Sequence, residues 1–158
     1  MNGIIIIDKP QEWTSNDVVS RLRRVFNTRR IGHGGTLDPE ASGVLPLCIG
    51  KATRLFDYII DKKKTYVAEI QLGQITDTQD ATGQVVEEHA VAVGEAELRE
   101  AIPHFVGEIE QIPPMYSALK VGGQKLCDLA RKGIEVERKP RKITVYEAEV
   151  SNFDGMEF

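Results

Sequence analysis

Hydrophobic residues follow two different spacings in the first part of the chain, which predicts strands and helices in alternation. A β-branched run at residues 3–8 is typical of a buried strand, and Pro10 ends it because proline cannot donate to a sheet. Over residues 18–26 hydrophobic side chains recur at helical spacing, behind possible N-cap side chains at residues 14–16. The pattern then predicts a loop at 31–43, a strand at 44–49 and a helix at 52–60.

The rest of the chain carries the same two patterns more weakly. Apolar and polar residues alternate over residues 66–72, which predicts a half-buried strand with Tyr66 on its apolar face. Pro103 marks a kink or an early end in a helix predicted over residues 95–105. The other predicted elements are strands at 85–86, 115–121 and 143–150, a helix at 125–132 closed by Gly133, and a hairpin turn at Asp154 and Gly155.

The composition fits one compact domain that does not cross a membrane. The chain has 158 residues, of which 41% are hydrophobic, so it can form one core but not a second full domain. No apolar run approaches the roughly 20 residues of a membrane span, and no signal-peptide pattern opens the chain. We therefore expect a cytoplasmic protein. Cys48 and Cys127 lack metal-ligand spacing, which favours buried, small apolar side chains.

The net charge of −4 argues against a nucleic-acid ligand, but the charges are unevenly distributed. Basic residues cluster at 21–30, 62–64 and 131–142, whereas acidic residues concentrate at 87–110. Such a chain can present a basic face to a polyanion while its total charge stays negative. By charge alone, solvated helix surfaces are the more frequent explanation of such clusters.

Residues 32–43 are the stretch with the clearest chemical potential. Four glycines and Pro39 predict a loop that bends sharply and lets a ligand approach its backbone. The loop carries Asp38 beside His33, and a carboxylate held in this way can act as a nucleophile or a base. A lone aspartate in such a loop is more often a turn residue. The glycine spacing excludes both a phosphate-binding P-loop and a dinucleotide-binding fingerprint.

Longer motifs resemble a known enzyme family. The string GHGGTLDPEASGVLP resembles the signature of the bacterial tRNA pseudouridine-55 synthases, the TruB family. DKPQEWTSNDVV before it resembles the opening motif of that family, and KKKTY and IPPMYSALKVGGQKLCDLARKGIEVERKPR after it resemble two later motifs. The matches keep the order of the family and cover essentially all 158 residues, which indicates the N-terminal portion of the catalytic domain.

The resemblance implies an α+β fold with a mixed, mainly antiparallel sheet and flanking helices. It also implies an isomerase that converts uridine 55 of the tRNA T-loop to pseudouridine without metal or cofactor. Asp38 resembles the catalytic aspartate, Tyr66 the tyrosine that stacks on the flipped base, and His33 the histidine that packs into the T-loop. The other expected site residues are Lys9, Arg29, Arg30 and Lys64 for RNA binding, and Pro10, Gly35, Thr36, Leu37 and Pro39 for support of the active-site loop; Lys9 shares the supporting first motif with Pro10.

Two of the departures from the family pattern bear on the site. Glu12 stands where the family usually has glycine, which implies a different bend or an extra charge near the RNA. Family members also continue through a segment with an arginine that pairs with the catalytic aspartate, and into a C-terminal RNA-binding domain. Residues 1–158 contain neither, so we expect a fold that is incomplete at its C-terminal side, as in a gene fragment, a split protein or a shortened chain.

Three hypotheses follow from the sequence. The first is the isomerase, acting as a monomer on the T-arm of tRNA, with no membrane, metal or nucleotide cofactor. The second is a catalytically impaired fragment that only binds tRNA, through its basic stretches and His33. The third is an unrelated α/β hydrolase-like domain that uses Asp38, and it predicts no dependence on RNA.

Overall fold

The computed structural model describes residues 1–60, 63–117 and 119–157, which form two compact units. The first unit is Met1–Tyr66 and the second is Val67–Phe158, and each is considered by itself. Every strand pair among the described residues is antiparallel, and helices accompany the strands in both units. The predicted α+β fold class is therefore confirmed.

The first unit is a three-stranded sheet in which the strand Gly43–Ile49 lies between the strands Gly3–Lys9 and Ile31–His33. The predicted strands at 3–8 and 44–49 are confirmed, whereas residues 52–60 divide between a 3-10 helix and a short α-helix. A short strand also opens the predicted loop. The elements are β1 (Gly3–Lys9), α1 (Ser15–Val25), β2 (Ile31–His33), β3 (Gly43–Ile49), a 3-10 helix (Gly50–Leu55) and α2 (Phe56–Ile60).

Helix α1 begins at the predicted cap. The hydroxyl of Thr14 accepts a hydrogen bond from the backbone N–H of Asp17 at 3.1 Å. In return the Asp17 carboxylate accepts one from the backbone N–H of Thr14 at 2.9 Å. This reciprocal pair satisfies donors that a helix start leaves open. The hydrogen bonds from the Thr14 hydroxyl and backbone also lower the pKa of Asp17, because they stabilise its charged form.

The core of the first unit lies between α1 and one face of the sheet. Alternate residues of β3 point into this core, and Leu47 is fully buried there. On the opposite face the ring of Phe56 and the side chain of Ile59 pack so closely over Gly32 and Gly34 that a Cβ there would clash. The buried core residues are Val18, Val19, Ile31, Leu45, Leu47 and Ile49.

The second unit consists of short strand pairs and short helices. Gly107–Gln111 pairs with Arg141–Val145, Gln74–Thr76 with Val85–Glu88, and Lys120–Val121 with Gln124–Lys125. Pro103 lies where α3 gives way to a 3-10 helix, as the sequence suggested. The elements are β4 (Gln74–Thr76), β5 (Val85–Glu88), α3 (Glu95–Ala101), a 3-10 helix (Ile102–Phe105), β6 (Gly107–Gln111), β7 (Lys120–Val121), β8 (Gln124–Lys125), α4 (Leu126–Ala130) and β9 (Arg141–Val145).

Three predictions for residues beyond 65 are wrong. Residues 66–70 form no strand although their side chains alternate, and only Gln71 makes a β-bridge, to Glu157. The strand predicted at 115–121 shrinks to β7, and the strand at 143–150 ends at Val145. Strand β6, in contrast, was not predicted. These strands depend on partners far away in the chain, which a local pattern does not reveal.

Three expectations from the sequence concern the cysteines, metal binding and membrane crossing. Cys48 is fully buried, and burial raises the pKa of its thiol, whereas Cys127 is only half-buried. In the described ranges, no group of three or more potential metal ligands occurs. No helix in that part of the chain is long and apolar enough to cross a bilayer.

We predict that Leu47→Ala lowers the free energy of unfolding by about 2–5 kcal/mol, because it opens a cavity at a fully buried position. Val44→Ala is the matched control on the same strand, where the side chain is 72% exposed, and it should cost less than about 1 kcal/mol. Urea unfolding of both variants tests this. Equal losses would show that the sheet face is assigned wrongly.

Candidate active site

The loop that carries Asp38 lies at one end of the three-stranded sheet. Strand β1 ends there at Lys9, which is opposite Gly43 at the start of β3. The loop leaves β2 after His33, and the N–H of Gly34 still bonds to the carbonyl of Pro46 at 2.7 Å. It then returns to β3 at Gly43, so residues 34–42 are anchored to the sheet at both ends.

Lys9 lies beneath this loop with 0% of its surface exposed. Its ammonium donates three hydrogen bonds to backbone carbonyls, those of Pro10 at 2.8 Å, Trp13 at 2.6 Å and Pro39 at 3.2 Å. An ammonium has three hydrogens, and three acceptors use them all. Because Pro39 directly follows Asp38, the buried charge ties the active-site loop to the loop after β1.

This position contradicts the expectation that Lys9 binds RNA. A side chain with no exposed surface and no remaining donor cannot contact a phosphate. The geometry agrees instead with the supporting role that Lys9 and Pro10 share in the first motif.

Glu12 adds a second link between the same two loops. Its backbone N–H donates to the carbonyl of Pro39 at 2.8 Å. Its φ is +65°, in the left-handed region where residues with a Cβ are strained. The position therefore suits glycine, and the glutamate at this departure from the family pattern adopts a backbone conformation that glycine adopts more easily.

Asp38 itself is exposed on this anchored loop. Its carbonyl accepts a hydrogen bond from the N–H of Ala41 at 3.1 Å, which closes a turn. Within the described ranges its carboxylate oxygens accept no hydrogen bond and form no ion pair. The acid is thus held by its backbone while its oxygens stay available to a ligand.

The ring of His33 is held against the same loop. Its Nδ1 contacts the backbone carbonyl of Gly35, which can only accept, so Nδ1 carries the hydrogen. Nε2 of a neutral ring is then left as an acceptor. Gly35 has a φ of +138°, a conformation that glycine allows at this bend. Thr36 and Pro39 are exposed, and Leu37 is half-buried.

The structure does not bring the two arginines of the predicted site to Asp38. Arg29 and Arg30 precede β2, and the carbonyl of Arg30 accepts from the N–H of Gly50 at 2.7 Å. Gly50 follows the last residue of β3, whereas the Asp38 loop joins the first. The seven residues of β3 span about 20 Å, so the arginines lie at the opposite end of the sheet.

Lys64 and Tyr66 lie at the C-terminal end of the first unit. Lys64 is exposed and donates to the carbonyl of Ile60 at 2.7 Å. The ring of Tyr66 is 70% exposed, so its assignment to a buried apolar face is wrong. A stacking role for that ring needs an open face, which this exposure provides.

Comparison with known proteins identifies the class of this chain. Residues 23–158 match the N-terminal domain of the TruB family of pseudouridylate synthases, and the chain belongs to this family. It is 52% identical to tRNA pseudouridine synthase B of Clostridium kluyveri over 154 residues, 98% of this chain and 53% of that protein. The corresponding protein of Escherichia coli O9:H4 is 49% identical over 157 residues, 99% of this chain and 50% of the relative.

Solved structures support the same fold. A Cbf5-Nop10-Gar1 complex contains a chain with a TM-score of 0.71 and 32% identity, covering 98% of this chain and 37% of its own length. An H/ACA RNP bound to a substrate RNA containing 2'-deoxyuridine contains another, with a TM-score of 0.66, 29% identity and coverages of 98% and 35%. The chain spans about half the length of the curated relatives it matches.

We predict that Lys9→Met lowers the free energy of unfolding by about 1–3 kcal/mol, because the carbonyls of Pro10 and Trp13 lose the lysine donor and that of Pro39 keeps only the N–H of Glu12. Lys51→Met, at an exposed lysine of the same unit, is the control and should change stability little. Guanidinium unfolding measures both. Equal stabilities would mean that the buried ammonium does not tie the loops together.

Glu12→Gly should raise stability by up to about 1 kcal/mol, because relief of the left-handed strain outweighs the added freedom of the unfolded chain. The control is Glu40→Gly, at an exposed glutamate of the active-site loop that lacks a positive φ, and it should be neutral or destabilising. Thermal unfolding distinguishes the two signs. A loss of stability in Glu12→Gly would contradict the strain at this position.

Proposed function

We propose that the protein is a tRNA pseudouridine synthase that isomerises uridine 55 in the T-loop, with Asp38 as its catalytic carboxylate. The observation that carries the proposal is the exposed Asp38 carboxylate, free of protein partners in the described ranges, on a loop tied down by Lys9. Membership of the pseudouridylate synthase family supports the reaction type. The name shared by the matched relatives supports tRNA as the substrate.

The reaction itself is an isomerisation and is balanced without a co-reactant. The bond between N1 of uracil and C1′ of the ribose breaks, the base rotates, and a bond from C5 to C1′ forms. The hydrogen of C5 leaves as a proton, and N1 gains one. Asp38 acts either as a nucleophile on the substrate or as a base that takes a proton from the ribose. No metal or nucleotide cofactor is required.

The target uridine has to leave its stack before this chemistry can begin. An extruded base needs an aromatic or planar surface to stack on, and the loop it leaves needs a side chain to fill the gap. The exposed ring of Tyr66 offers the first surface. His33, held beside the Asp38 loop through Gly35, is proposed to fill the gap in the T-loop.

Exposed basic residues would then bind phosphates of the RNA backbone outside the reacting nucleotide. Arg29 and Arg30 are exposed at the far end of the sheet, and Lys64 is exposed near Tyr66. Exposed cations at more than one place on the first unit suit a substrate that extends beyond one base, such as the T-arm. The protein is proposed to act as a cytoplasmic monomer.

Asp38→Asn should lower tritium release from a T-arm stem-loop labelled at carbon 5 of uridine by at least about 100-fold, because the amide can neither attack nor accept the proton. Binding of the same RNA should stay within about threefold, since the overall charge changes by only one unit. Asp57→Asn, at an exposed aspartate of α2, is the control and should react at the wild-type rate.

Two outcomes would contradict the proposal. Undiminished release by Asp38→Asn would remove Asp38 from the chemistry. Background release by the wild-type protein, together with RNA binding that weakens as salt rises, would favour a binding module instead. The whole protein is the sample in every measurement.

A further inference from the structure

Ser15 is a buried polar residue next to the proposed active site. It is the first residue of α1, and only 3% of its surface is exposed. Side chains in the first turn of a helix usually point to solvent or bond to the helix end. Thr14 already caps α1 together with Asp17, so the helix start does not require the Ser15 hydroxyl.

The hydroxyl instead binds the active-site loop. Oγ of Ser15 donates to the backbone carbonyl of Leu37 at 3.2 Å and accepts from the backbone N–H of Leu37 at 3.0 Å. A hydroxyl can donate and accept at once, and a buried peptide group needs both kinds of partner. Both backbone polar groups of the residue before Asp38 are thereby satisfied by one side chain.

We propose that Ser15 is a positioning residue for Asp38, an inference that rests on the proposed function of that carboxylate. The carboxylate has no partner within the described ranges, so its location is set by the backbone on either side. Ser15 holds Leu37 on one side, and Lys9 holds Pro39 on the other. Both side chains belong to the first motif, Lys9 at the end of β1 and Ser15 at the start of α1.

This arrangement predicts that loss of the Ser15 hydroxyl slows the reaction but does not weaken RNA binding. Loss of the Ser15 hydroxyl frees the peptide before Asp38 while Lys9 still holds the loop, so the acid stays present but is less well placed. A displacement of about 1 Å can slow a reaction by about 100-fold without loss of binding. If Ser15 only stabilised the fold, its loss would weaken all sheet hydrogen bonds together.

The test compares Ser15→Ala with Ser20→Ala, which makes the same change at an exposed position of the same helix. Single-turnover rate, affinity for the T-arm stem-loop and amide hydrogen exchange are measured on the whole protein. We expect Ser15→Ala to react about 10- to 100-fold more slowly with unchanged affinity. Exchange at Leu37 should accelerate by at least about 10-fold while exchange at Leu47 does not change. Ser20→Ala should match the wild type.

A wild-type rate in Ser15→Ala, or equal acceleration of exchange at Leu37 and Leu47, would overturn the proposal. If the alanine variant does not fold, Ser15→Cys, of similar volume with a weaker donor, decides. A rate at least about threefold below wild type at unchanged affinity supports the positioning role, and the wild-type rate overturns it. Asp38→Asn in the same assay separates the two ideas, because its activity would refute the proposed function, whereas its inactivity beside an active Ser15→Ala would refute only this inference.

Discussion

The buried ammonium of Lys9 is the interaction on which the geometry of the candidate site depends. A cation without exposed surface is tolerated only when its hydrogens are bonded, and here the acceptors are three backbone carbonyls. Because these carbonyls belong to the loop after β1 and to Pro39, one side chain joins two segments that the sheet brings to the same end. These three hydrogen bonds offset the free-energy cost of burying the ammonium. They lie beneath the loop on which Asp38 is exposed.

In this site the backbone atoms around Asp38 are held in place, whereas its carboxylate oxygens are accessible. The backbone around Asp38 is held by Lys9, by the N–H of Glu12 and by Ser15, whereas the carboxylate itself is exposed and unpartnered within the described ranges. A carboxylate with such bonds of its own would have to give them up when a substrate arrives. A carboxylate fixed through its main chain avoids that exchange, as a preorganised site requires.

Local features of the chain could be predicted from sequence, and features that depend on distant partners could not. The start of α1 follows from Thr14 and Asp17, which lie three residues apart. The alternation over residues 66–72 resembled a strand, but a strand also needs a partner, which residues 66–70 lack in the described ranges. Lys9 was likewise expected to bind RNA, because the sequence does not show that its acceptor at Pro39, thirty residues away, lies beside it. The motif resemblance identified Asp38 as a candidate site residue. It did not show that Lys9 and Arg30 lie at opposite ends of the sheet.

A structure of the whole protein bound to a T-arm stem-loop would show directly whether the carboxylate of Asp38 reaches the target uridine. We expect a uridine extruded from its loop, with its ribose or base about 3–4 Å from the carboxylate of Asp38. Lys9 should remain buried against Pro39 in that complex. RNA bound at another surface, or a uridine still stacked with Asp38 facing only water, would contradict this expectation.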